Sequence, residues 1–186
     1  MAQVHMISAS LLKERTPIEE NVSDDLLTNY IFKSQETRIQ AYLGTNLYNQ
    51  VLDAIRDDAI SGVIKTLLYD YIRPTLIEWS FYESMPFISL KITNKTIGRG
   101  TADYLAEGNL DDLKYLRNSA RDLAEFYGER LIMYLKENSN LYPNYLNNSG
   151  LDKMQPQMKS YFGGIYLGGG RSRDCGFGLA DKWKDL

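Results

Sequence analysis

Two apolar rows lie side by side between Gly62 and Ser84, and they set the class of fold open to this chain. Val63, Leu67, Tyr71, Thr75 and Trp79 step by four, and Ile64, Leu68, Ile72 and Leu76 form the adjacent row. Neighbouring rows at that spacing make one wide stripe on a helix, which places the helix centrally rather than peripherally. Pro74 lies inside it, removes one backbone donor and predicts a kink near Tyr71. The same stretch, Val63 to Trp79, is broken by Lys65, Asp70, Arg73 and Glu78. It is the most apolar in the chain, yet it falls short of the roughly 18 uninterrupted residues that a membrane span needs.

Helical punctuation continues on both sides. Ser23 reads as an N-cap, Asp24 and Asp25 suit the positive end of a helix dipole, and Leu27, Tyr30, Ile31, Ile39 and Tyr42 follow. Gly44 reads as the left-handed residue that stops this helix and Thr45 as the N-cap of the next, which carries Leu47, Tyr48, Val51, Leu52 and Ile55. The Leu43-Gly44-Thr45 joint therefore forces a tight corner. Pro86 is expected to end the central helix. Beyond it Phe87 to Ile92 alternates with period two, Thr93-Asn94-Lys95 can turn, and Thr96-Ile97-Gly98 can return. A small β-hairpin or arm over about 87–100 follows, and an isolated hairpin needs something to lie on. The last long helix spans about Asn109 to Asn138. Asn109 caps it, Asp111 and Asp112 occupy its first turn, and Arg121 and Glu125 form an i,i+4 pair. Leu113, Leu116, Ala120, Leu123, Tyr127, Leu131, Tyr134 and Leu135 line it. Tyr142-Pro143-Asn144 ends the helical region.

The expected class is mainly α: a helical bundle over residues 1–149, a small β-hairpin or arm, and a Gly/aromatic-rich extended C-terminal tail over 150–186. No internal repeat and no heptad long enough for a coiled coil is present. With 186 residues, 44% hydrophobic and 24% charged, the chain has the makings of one globular domain with an appendage.

Composition removes most chemistry. A net charge of −3 and a pI near 5.3 argue against a protein whose main task is gripping nucleic acid. The charge is uneven: from Leu151 onward six Lys/Arg face four Asp/Glu, which leaves −5 on the preceding residues. The one histidine, His5, falls in a stretch that reads as a loose N-terminus, which disfavours His-based triads and metal sites. Cys175 is alone, so it forms no intrachain disulfide and no thiolate zinc site. Met1 to His5 has neither a basic nor an apolar leader pattern, and a cytoplasmic compartment is expected.

Glycine motifs fail as well. A phosphate loop ending at Gly170-Arg171-Ser172 would need glycine where Ile165 stands and lysine where Arg171 stands. Gly168-Gly169-Gly170 lacks the third glycine of a dinucleotide fingerprint, because Arg173 occupies it. The acidic pairs Glu19-Glu20, Asp24-Asp25, Asp57-Asp58 and Asp111-Asp112 fall at helix ends or in loops, where solvation and dipoles explain them. A carboxylate hydrolase using Asp57 or Asp58 is the enzymatic alternative, and the expectation is no catalytic residue, no cofactor and no metal.

The tail carries the sharper signal. Seven of the 14 glycines lie between Gly163 and Gly178, interleaved with aromatics, in a chain with 14 tyrosines, six Phe and two Trp. Tyrosine suits a group that must be half buried and half wet, as at protein–protein contacts. A glycine-rich segment loses much backbone freedom on ordering, so a tail of this kind is expected to order by docking on a partner. Tyr161, Phe162, Ile165, Tyr166, Leu167, Phe177 and Trp183 are the expected anchors, with Arg171 and Arg173 pairing to acidic partner surfaces. A tail that never orders is the alternative.

Between Ile7 and Ile55, about a quarter of the chain, a family likeness emerges. Leu12-Lys13-Glu14-Arg15-Thr16-Pro17-Ile18, then Asn21-Val22, Ser34-Gln35 and Leu43-Gly44-Thr45 with Leu47-Tyr48 resemble the helical head–tail connector, or neck ring, proteins of tailed phages. The nearest likeness is to those of crAss-like and related gut phages. The resemblance implies a mainly α-helical protomer in a homo-oligomeric ring, commonly a dodecamer, beneath the portal. It implies a virion location after synthesis in the host cytoplasm. Its partners would be the portal and other neck or tail proteins, with DNA passing through unread. No catalytic residue comes with it. A small helical adaptor or regulator that binds one partner without forming a ring is the alternative.

Overall fold

In the computed structural model, which describes residues 3–92, 97–99, 110–147 and 154–157, the chain is mainly helical, and the helix with the two apolar rows is its axis. That helix has three pieces: α5 (Gly62–Thr66), a π-helical turn (Leu67–Ile72) and α6 (Arg73–Ser89). Leu67, Leu68, Ile72, Leu76 and Thr75 are fully buried, as the rows require, while Val63 at the start is exposed. The π turn stands where Pro74 disturbs the ladder. Arg73 N–H donates to Leu68 O, five residues back, and the wider turn makes room for a ring that cannot donate. The Thr75 hydroxyl donates to Tyr71 O at 2.7 Å, satisfying a carbonyl beside the break.

Pro86 does not end the helix, contrary to the expectation; α6 runs through it to Ser89. Tertiary contacts hold the last turn. Phe87 stacks on Tyr30 with centroids 4.8 Å apart, Met85 is buried, and Glu83 takes Lys33 and Arg38, each at 3.4 Å. Only Leu90–Ile92 (β1) remains extended, and it pairs antiparallel with Ile97–Arg99 (β2) in the register Leu90↔Arg99, Lys91↔Gly98, Ile92↔Ile97.

The N-terminus is packed rather than loose. Ser8 accepts from Leu11 N–H at 3.1 Å and starts α1 (Ala9–Arg15). Met6, Ile7 and Leu12 are buried, and His5 meets the edge of Phe32 at 6.0 Å. What holds this segment is one buried amide. Helix α2 (Asp24–Ser34) continues into a second π turn (Gln35–Ile39) and then α3 (Gln40–Leu43). Gln35, fully buried, accepts from Met6 N–H at 2.9 Å and donates to Val4 O at 3.0 Å and to Tyr48 Oη at 3.1 Å. Lys13 adds a staple, reaching Asp24 at 2.6 Å and Glu20 O at 2.9 Å.

Gly44 makes the tight corner with φ 74°, a value that favours glycine. It serves as C-cap of α3 and N-cap of α4 (Thr45–Arg56), so Thr45 is the first helical residue and not the cap expected of it. Ser23 does stand at the N-cap position of α2, without a side-chain capping bond.

The last long helix, α7 (Leu110–Glu137), packs antiparallel on α6. Tyr71 stacks on Tyr134 at 3.9 Å near one end, and Arg117 lies over Tyr82 at 4.3 Å near the other. A 3₁₀ turn (Ser139–Leu141) and the short α8 (Pro143–Leu146) follow, so helix continues past Pro143. Tyr142 and Tyr145 plug this end of the core, with Tyr142 Oη donating to Val63 O at 2.9 Å and lying 3.0 Å from Tyr134 Oη.

Those tyrosines give the fold an alkaline limit. Burial, before any other cause, pushes the phenols of Tyr42, Tyr48, Tyr142 and Tyr145 above the ordinary tyrosine value of 10.0. For Tyr142 the hydrogen bond with Tyr134 pushes the same way. A raised folded-state value means that the folded chain holds these protons more tightly than the unfolded one. Stability is therefore intact below about pH 10 and falls as the pH climbs above it. The part of the phenolate absorbance that comes from the buried tyrosines is expected to rise together with the loss of helical circular dichroism, and Tyr142→Phe is expected to make the remaining pH dependence shallower.

Candidate functional site

Helix α7 presents its apolar residues on the wrong side for a helix that only packs inward. The face against the bundle is formed by Ala120, Ala124, Leu131, Ile132 and Leu135, all buried. Gly128 continues the small row Ala120–Ala124 and lets the backbone approach α3: a Cβ there would lie 2.8 Å from Tyr42 Oη. Tyr115, Leu116, Leu123, Phe126 and Met133, by contrast, are between 43% and 74% exposed. Leu116 and Leu123, expected to line the core, belong to this outer set. The small-residue row stepping by four was the available signal, since close helix packing selects small side chains and turns the large ones outward.

At 3.6 residues per turn, Leu116 and Leu123 fall on one flank of α7, and Tyr115, Phe126 and Met133 on its outward face, a strip of apolar residues spread over about 27 Å with exposed Ser119, Asp122 and Arg130 among them. Phe126 meets Tyr127 edge to face at 5.5 Å. Arg130, on the same side, lies over Tyr71 at 4.9 Å. Single exposed hydrophobics need no explanation; five large ones on one side of a single helix make a candidate contact surface.

The opposite flank of α7 is polar and borders a cleft of about 230 Å³ walled by Arg38, Tyr42, Trp79, Glu125 and Glu129. Arg38 lies over the Trp79 ring at 4.0 Å and also reaches Glu83. The expected pair of Arg121 and Glu125 is formed, at 3.7 Å. Gln157 sits at the rim of the same cleft. Residues 154–157 cross the α3–α4 corner: Thr45 N–H donates to Met154 O at 3.2 Å, Gln157 N–H donates to Ala41 O at 2.8 Å, and Pro156 is buried. Asn46 donates from its side-chain amide to Asn147 O, tying the same corner to the end of α8.

The expected anchors Tyr161, Phe162, Ile165, Tyr166, Leu167, Arg171, Arg173, Phe177 and Trp183 lie outside the described residues, as does Asn109. Three of the acidic pairs stand at helix starts or in a turn, with Asp24 paired to Lys13 and Asp111 to Lys114. Asp24–Asp25 and Asp111–Asp112 occupy first helical turns, and Asp57–Asp58 forms an exposed turn after α4, with Asp58 at φ 49°. Among the described residues no group of His, Cys, Asp and Glu comes together to hold a metal, and no helix is long and apolar enough to cross a membrane.

Residues 39–154 match a family model described as a Family of unknown function (DUF6712), which takes in more than half of the chain. No curated protein and no solved structure matches.

Proposed function

We propose that this chain, which belongs to the family matched over residues 39–154, is a structural subunit of a phage neck, assembled head to tail into a ring that links portal to tail around the DNA channel. The observation that carries this reading is the exposed apolar strip on α7. A cyclic ring joins unlike patches, one on each side of every subunit. The strip supplies one patch; an arm over residues 87–100, read as a small β-hairpin, and an extended tail over 150–186 supply the other. The motifs that resemble neck proteins add support from a different direction. Gln35 and the Leu43-Gly44-Thr45 joint, both within that likeness, are the tie and the corner on which the N-terminal half is built.

The chemistry is mechanical. In this reading no residue performs catalysis, no cofactor is bound, and DNA passes without sequence-specific contact. The net acidity of the residues before the tail suits a channel wall, because a basic lumen would hold phosphates. The mature protein would reside in the virion. Deleting residues 150–186 is expected to abolish portal binding and particle assembly while the helical circular dichroism per residue of the remaining domain is kept; portal binding and assembly unchanged by the deletion would refute the docking role.

A further inference from the structure

Glu78 follows Tyr71 by seven residues and precedes Tyr82 by four, a spacing that keeps all three on one side of the central helix. Tyr71 stacks on Tyr134 and Tyr82 lies under Arg117, so that side is the one turned to α7. Glu78 therefore stands between the two cross-helix contacts, level with Leu123 and Ala124. Ala124 is buried and Leu123 is 43% exposed, which makes Leu123 the outer lip of the α6–α7 seam. The seam runs along the flank of α7 that borders the apolar strip.

Within this seam Glu78 is a charge without a partner. It is half-buried, no hydrogen bond or ion pair reaches it from the described residues, and burial pushes its carboxyl above the ordinary carboxylate value. The cations at the two ends of the seam, Arg117 and Arg130, lie over Tyr82 and Tyr71 instead. A carboxylate drawn out of water costs stability unless a cation meets it.

The same helix carries a complement on its far side. Arg73 and Tyr82, nine residues apart, stand about 180° from each other around α6. Arg73 lies over the Tyr69 ring at 3.9 Å, and Lys65 precedes Tyr69 by four residues, so Lys65, Tyr69 and Arg73 form one row. Tyr69 is 43% exposed, and Lys65 stands in water with no ion pair among the described residues. Arg73 is held on its ring, whereas the Lys65 stem can extend its ammonium into a half-buried site. Lys136 also has no ion pair among the described residues, but it lies on the polar flank that Glu125 and Glu129 already make acidic.

We propose that Lys65 of one copy seats on Glu78 of the next, with Tyr69 against Leu123, so that one helix supplies both halves of a head-to-tail contact. This rests on the head-to-tail reading above and names the polar pair within it. An apolar strip alone lets neighbours slide by a turn; a desolvated ion pair at one place admits a single register. Because the two patches face opposite ways, the pair cannot form twice in a two-fold dimer. Each contact leaves one patch open for another copy, as a ring requires.

Mixed-cysteine crosslinking with a short bismaleimide tests the pairing, in a Cys175→Ser background, on the chain alone and on portal protein. Glu78→Cys chains mixed with Lys65→Cys chains are expected to give a covalent dimer, and neither variant is expected to give one by itself. Sedimentation velocity reads the same pair without cysteines. Lys65→Glu, a change at an exposed position, is expected to weaken association at least about tenfold, and Lys65→Glu with Glu78→Lys to recover it to within about threefold. Glu78→Gln keeps the side chain's shape and is expected to lower association severalfold, should Glu78→Lys not fold. A dimer from Glu78→Cys alone, no dimer from the mixture, or undiminished association in Lys65→Glu would overturn the pairing. A closed ring that forms without this crosslink ends the pairing and leaves the ring. A parent chain that stays monomeric, alone and with portal, ends both.

Discussion

A Leu123→Glu/Phe126→Glu variant is expected to remain a folded monomer and to lose self-association by at least about a hundredfold. Both side chains stand in water on α7, so removing them leaves the core intact, and circular dichroism and thermal midpoint should stay close to those of the parent. Fully burying an exposed large apolar group contributes roughly 1.5–3 kcal/mol, and with Leu123 43% and Phe126 59% exposed about half of that remains to be gained, so the pair supplies about 1.5–3 kcal/mol per contact. A factor of one hundred in affinity corresponds to about 2.7 kcal/mol, and two carboxylates pressed into an apolar seam add a desolvation cost that takes the loss past it. Sedimentation velocity over a concentration series measures the effect. An unchanged association constant would remove α7 from the interface. Conservative substitutions such as Leu123→Met should leave assembly intact, since volume and apolarity are kept.

Gln35→Leu is expected to be the most destabilising single substitution in the N-terminal half, at about 3–5 kcal/mol. Leucine has a similar volume but returns none of the three hydrogen bonds that Gln35 makes to Met6, Val4 and Tyr48. Each buried group left unpaired costs roughly 1–3 kcal/mol, against a total stability of about 5–15 kcal/mol for a domain. The loss should be visible locally first. Hydrogen exchange at the Met6 amide is expected to lose its protection, and the segment before α1 to become open to proteases, at denaturant concentrations where α6 and α7 still hold. A midpoint within experimental error of the parent would show that water replaces the amide without penalty.

How far these features can be read from the residues alone depends on the distance over which each is decided. The central rows from Leu67 to Trp79, the Gly44 corner and the Arg121–Glu125 pair are local patterns, and they appear in the fold as spacing and conformational preference require, whereas Val63 at the start of the rows is exposed. Thr45 lies one position inside the helix it is expected to cap, because Gly44 serves as the end of one helix and the start of the next. Pro86 departs from expectation for a different reason. Its local preference to stop the helix is outweighed by Phe87 on Tyr30 and by Glu83 on Lys33 and Arg38, contacts that join it to residues more than 40 positions away. The packed N-terminus likewise depends on Gln35, 29 residues beyond Met6, and a glutamine in a helix carries no mark of being a buried hub. On α7 the periodicity puts Leu116 and Leu123 in the same stripe as Ala120, Leu131 and Leu135, yet close packing through Ala120, Ala124 and Gly128 leaves Leu116 and Leu123 outside with Phe126.

One idea underlies the functional reading: the folded copy carries an apolar surface that other copies must cover. Native mass spectrometry of the full-length 21.3 kDa chain, alone over rising concentration and then with portal protein, examines it directly. A single closed species at one fixed multiple of the subunit mass, alone or on the portal, is expected. A chain that stays monomeric throughout, or joins one partner at one-to-one stoichiometry, would contradict the ring and favour a small helical adaptor in its place.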